Sequence, residues 1–313
     1  MAHLKARLSF LLLAACLGAQ TEAVAQANET EQPPSKFALE KTVATNAKPE
    51  AATRDGDALL VSSLGPDNSA DSGDGSIQRL LWEGSVDHGF HLATPLHNPK
   101  GIVAVASGIV VLDIDRVVVI ARSGELRSEI SLAASGTRFL NDVTMVDDHQ
   151  VIVSATDIKR LFLINLLSGE SRELQPDFDL DHPNGLHFDP DTNSLYITAN
   201  GEHTLGEEGN GSVTKTEVDA AAGQVRLLWS SPIGKFVDGI DLRDRTIFVS
   251  DWIGPGADGA AYELDSETGE VTAREMVGVP GFADLLWDND GRRVAFVSLS
   301  SNEVRFLAAP TPR

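Results

Sequence analysis

Short runs dominated by apolar and β-branched residues recur along the chain at nearly even intervals. They read "ALLVSSL" at 58–64, "GIVVLDI" at 108–114, "QVIVSAT" at 150–156, "SLYITAN" at 194–200, "TIFVSDW" at 246–252 and "RVAFVSL" at 293–299. A polar turn precedes each run: "RDGD", "VASG", "VDDH", "DPDTN", "RDR" and "DNDGR". Further β-rich segments follow, among them "RVVVIA", "RLFLIN", "AAYELD" and "EVRFLA". Runs this short, bounded by turn residues, predict strands rather than helices, and no segment sustains a helical period. The pattern is strand, turn, strand, loop, strand, six times over.

Repeats of this kind, spaced by about 40 to 55 residues, match the ~40–45 residues of a four-stranded propeller blade. The longer intervals are accounted for by Gly-containing insertions at 65–76 and 201–212. The expected fold is an all-β, six-bladed β-propeller over residues 37–313. The last repeat ends one strand short, at "EVRFLAAPTPR", whereas "KFALEKTVA" at 36–44 alternates as a strand does. That N-terminal strand is expected to complete the sixth blade, which removes two open sheet edges at once.

The first strand of each unit opens on a polar residue. In "DHPNGLHFDPDTNSLYITAN" (181–200) the Asn-Gly pair stands where a strand begins, and the hairpin turn comes later, at "DPDTN". The corresponding lead residues are Glu50, Lys100, Asn141, Asn184, Asp238 and Asp284. In a propeller the first strands line the channel, so these residues would ring one mouth. Glu50, Asn141, Asn184 and Asp238 supply two carboxylates and two amides, hard oxygen donors suited to Ca²⁺, with Mg²⁺ or Mn²⁺ as alternatives. No cysteine or paired-histidine spacing at these positions favours zinc or copper. Lys100 brings a cation to the same ring. There it can pair with Asp284, hold an acidic substrate or stabilise an oxyanion, and it weakens metal affinity if aimed at the site.

Composition narrows the partners. The 313 residues are 42% hydrophobic, enough for a sizeable core, and the formal net charge is −21. Such a surface repels nucleic acid and anionic membranes. Residues 1–25 read as an export signal: a basic start, the apolar "LSFLLLAACLGA", and an A-x-A pattern near Ala23 and Ala25. The apolar run is too short to span a bilayer. The single cysteine, Cys16, falls inside this segment, where "LAAC" also fits a lipobox; lipid anchoring through Cys16 is the alternative to cleavage, and either makes the product periplasmic or secreted. Residues 26–36 are polar and proline-containing, as a flexible linker is.

The series "PE…LLVS", "LND", "PNGL" and "DGI…VSDW" resembles the calcium-dependent propeller hydrolases: gluconolactonase, senescence marker protein (regucalcin) and, more distantly, diisopropyl fluorophosphatase and the paraoxonases. The resemblance covers essentially 37–313. It implies metal binding by Glu50, Asn141, Asn184 and Asp238, with Asp238 also acting as general base or nucleophile on a small lactone or ester. A bound Ca²⁺ polarises such a carbonyl as a Lewis acid. Asp238 beside a dication is a weak base, so His182 is a candidate helper, with His97 at a comparable mouth position.

Plainer readings stand beside these. Each lead residue alone fits an ordinary strand-entry role. His182 and His97 fit solvated or structural histidines, and Asp284 fits a structural blade residue. "DPDTN" and "DNDG" are hairpin turns rather than EF-hand loops, and Trp82, Trp229, Trp252 and Trp287 are expected in inter-blade packing. Since propellers host unrelated functions, a non-catalytic module binding a sugar, peptide or protein is the main alternative. A quinone-dependent dehydrogenase is a third, with no cofactor pocket marked in the sequence.

Overall fold

The computed structural model describes residues 36–67, 72–201, 210–234, 236–252 and 258–309. The expected export signal, Cys16 and the expected linker up to residue 35 lie outside these, as do parts of both insertions.

Six antiparallel sheets form the blades of a propeller. Their first strands are Pro49–Asp55, Pro99–Val105, Leu140–Asp147, Pro183–Asp189, Val237–Arg243 and Phe282–Trp287, and they belong to blades 1 to 6 in that order. Each packs against the first strands of its two neighbours, and the sixth returns to the first. Blade 4 carries a fifth strand, Gln175–Pro176, which pairs in parallel with Gln224–Val225 at its outer edge. The N-terminal strand Ala38–Ala44 pairs antiparallel with Glu303–Ala308, so the sixth blade joins both ends of the domain. Lys36 and Phe37 are fastened too. Lys36 pairs with Glu263, and Phe37 packs edge-on against Phe296 with ring centroids 5.6 Å apart.

The second strands are the repeated runs. Ala58–Ser63, Gly108–Asp113 and Ser194–Ala199 are buried at every position. A neighbouring blade covers each face, which is why these runs are continuously apolar rather than alternating. The core is accordingly divided into six clusters, each drawn from two adjacent blades. Leu60 and Ile77 of blade 1, for example, pack with Ile109 and Val118 of blade 2. Three tryptophans belong to this packing: Trp287 lies 4.8 Å from Phe248, Trp82 5.9 Å from Phe306 and Trp229 6.3 Å from Tyr196.

Every blade has the same irregularity. The register between first and second strands shifts directly after the opening residue: after Pro49, Pro99, Leu140, Pro183, Val237 and Phe282. A bulge interrupts strand alternation and re-aims a side chain. Six bulges at one level turn six consecutive lead positions towards the axis.

Candidate metal centre

The bulges set the ring as Glu50, Lys100, Asn141, Asn184, Asp238 and Ala283. The sixth member is thus Ala283 and not Asp284, because the ring residue in every blade directly follows the opening residue, and the opening residue of blade 6 is Phe282. Asp284 belongs to the next tier down, where Asp142 also lies. Glu50, Asn141, Asn184 and Asp238, from four blades, line one cavity with Asp142 and Asp284 beneath them. Its volume is about 10 Å³, the space of a single small ion or water.

The next tier explains the glycines. A Cβ on Gly185 would lie 2.3 Å from the Asp238 carbonyl oxygen, and one on Gly239 would lie 2.2 Å from an Asp284 carboxylate oxygen. Neither glycine needs positive φ; neighbouring strands come too close for a side chain. The Asn-Gly pair at a strand start is therefore a lead residue followed by a close approach. Asp142 and Asp284 use the same closeness to tie blades together. Asp142 accepts the Leu186 N–H of blade 4 at 2.7 Å, and Asp284 accepts the Ala52 N–H of blade 1 at 2.8 Å.

Hydroxyls on the second strands hold the lead backbones. Ser62 donates to the Lys100 carbonyl at 2.6 Å, Ser154 to Asn184 at 2.8 Å, Thr198 to Asp238 at 2.5 Å and Ser250 to Ala283 at 2.9 Å. Each bond crosses to the following blade. Their signal was present in the repeats as the hydroxyl near the end of "LLVS", "VIVS", "LYIT" and "IFVS", without a partner to give it meaning.

Both amides have outer partners, and for Asn141 the partner fixes the orientation. Thr156 Oγ1 donates its one hydrogen to the Pro183 carbonyl at 2.6 Å, so towards Asn141 it can only accept. It receives Asn141 Nδ2 at 3.1 Å, which leaves the Asn141 carbonyl oxygen as the unspent end of that amide. Asn184 Nδ2 donates to Asn200 Oδ1 at 3.0 Å. Orientation of this kind is what a ligand's outer partners supply. The donor set, two carboxylates and two amides in an ion-sized space, fits a hard cation such as Ca²⁺. Among the described residues, no group of three or more His, Cys, Asp or Glu side chains is arranged to hold a metal ion.

Several carboxyls are buried together at this cavity. Burial pushes the Asp238 carboxyl well above its usual range, Glu50 adds to the rise, and Lys100 opposes it. Burial raises Asp142 to about 7, and burial followed by the charge of Asp142 raises Asp284. Lys100 does not reach Asp284; its Nζ donates to Glu50 Oε1 at 2.8 Å. His182 takes a left-handed backbone, φ 38°, and its Nδ1 lies 2.8 Å from Asp181 Oδ1. It is not among the residues lining the cavity. Burial would raise Asp181, but Lys159 and His182 together hold it below the usual carboxylate range. The backbone N–H of His97 is directed at Asp113, 3.1 Å away, a structural tie at the foot of its loop.

No protein-family model matches the chain, and no curated protein matches it. Among solved structures, hydrazine synthase from Kuenenia stuttgartiensis superposes with a TM-score of 0.60 over 92% of this chain and 80% of that one, at 14% identity. At such identity the likeness extends to the fold alone. The protein is a six-bladed β-propeller of four-stranded blades, closed by its N-terminal strand and similar in fold to that synthase.

Proposed function

We propose that this propeller is an exported, Ca²⁺-dependent hydrolase of the gluconolactonase type, opening a small lactone or ester above the axial cavity. The observation that carries this reading is the convergence of Glu50, Asn141, Asn184 and Asp238 on one ion-sized space, with the Asn141 amide oriented from behind. These four residues would hold the ion, which when bound supplies Lewis acidity to a substrate carbonyl. Asp238 has a second task. Its oxygen would take the proton of an attacking water, as a weak base beside the bound dication that needs the help of a second group. Lys100 places an ammonium on the same ring. His182 remains a candidate proton acceptor at the mouth, held in its tautomer by Asp181.

A non-catalytic binding module is the second reading. In its favour, the cavity of about 10 Å³ admits an ion and not a lactone, so substrate must sit in the mouth above it. A panel of lactones, esters and phosphotriesters separates the two. The hydrolase reading expects turnover that is abolished by a chelator and by Asp238→Ala. Turnover surviving both, or none across the panel with calcium bound, would overturn it.

A further inference from the structure

Among the six ring positions one side chain is cationic. Lys100 Nζ lies 2.8 Å from Glu50 Oε1, and the two side chains are only 11% and 10% exposed. The ammonium also lies 4.6 Å from the ring centroid of Phe139, two residues before Asn141. Its backbone is held, since Pro99 opens the strand and the Lys100 carbonyl receives the Ser62 hydroxyl at 2.6 Å. Only the flexible stem is able to move. Glu50 meanwhile lines the axial cavity, and Lys100 reaches it from outside that lining.

We propose that Lys100 is a built-in counter-cation. It neutralises Glu50 while no divalent ion is bound and gives way when one enters, keeping its place over the face of Phe139. The proposal rests on the cavity being a calcium site. A Glu50 oxygen engaged by an ammonium is a poorer ligand, and a dication arriving near that ammonium meets like-charge repulsion. Lys100 therefore holds calcium affinity below that of the bare four-oxygen cage. Binding of the ion also frees a positive charge at the mouth, where the aromatic face favours it.

Calcium calorimetry on the purified chain, at fixed neutral pH and physiological salt, compares the wild type with Lys100→Met, Lys100→Gln and Lys100→Arg. Met and Gln should tighten calcium binding by about tenfold or more; Arg, which keeps the charge, should stay near wild type. Thermal unfolding provides a second readout. Met and Gln should lower the melting temperature of chelator-treated protein more than that of calcium-loaded protein, because only the former leaves Glu50 unpaired. Binding seen in the Met variant and not in the wild type would support the proposal in its strongest form. Wild-type binding with Met and Gln unchanged or weakened would overturn it and leave the calcium site standing. No binding by any of the four proteins would remove both.

Discussion

Thr156 touches neither cavity nor substrate, yet the geometry makes it responsible for the direction of Asn141. Its hydroxyl is a relay, donating to the Pro183 carbonyl at 2.6 Å and accepting from Asn141 Nδ2 at 3.1 Å. Thr156→Val keeps the shape and removes both bonds. Two costs follow. The buried Pro183 carbonyl loses its partner, which costs about 1–3 kcal/mol of stability. Asn141 loses the group that fixes its amide, and loss of such an outer partner lowers metal affinity by about 10–100-fold, or about 1.4–2.7 kcal/mol of binding. Urea unfolding of chelator-treated protein measures the first and calcium calorimetry the second. Thr156→Ser, which retains the hydroxyl, should restore both. A valine variant that loses stability but binds calcium as the wild type does would refute the claim that amide orientation matters here.

Three other outcomes follow from the same geometry. Deleting residues 36–46 should unfold the domain, since Phe37 alone contributes about 3–5 kcal/mol by burial and the sixth blade also loses its outer strand; circular dichroism of the truncated chain checks this, and a folded product would refute the closure. Gly185→Ala should destabilise the fold by about 1–3 kcal/mol or more, because the added Cβ meets the Asp238 carbonyl at 2.3 Å; equilibrium unfolding measures it. Chelator-treated protein should lose stability as pH rises. Asp142 titrates near 7 in the fold against 3.8 as a free group, so its contribution is complete below 3.8 and lost as pH climbs through 7. That difference amounts to up to about 4 kcal/mol, and saturating calcium should flatten the slope in parallel unfolding curves.

The all-β architecture was legible because its signal is repeated. Six continuously apolar second strands, each sandwiched between blades, carry the same composition wherever the chain makes a blade. The closing strand was legible for a related reason: a sixth unit lacking its last strand and a spare alternating segment at the start leave one way to remove both edges. The candidate ligands could be read as the polar residues opening each first strand, since a propeller has one place for them.

What only the tertiary structure decided lies across blade boundaries. Ala283 rather than Asp284 completes the ring because Phe282 is the residue of blade 6 that pairs at the level of Pro183 and Val237, and register is a property of two paired strands. Lys100 meets Glu50 and not Asp284 because the neighbouring blade lies within its reach. Asp142, Thr156, Asn200 and the hydroxyls of Ser62, Ser154, Thr198 and Ser250 acquire roles only through partners far away in sequence or on the next blade. Local composition specifies a strand and its buried face; the aim of a side chain at the axis depends on which backbone packs beside it.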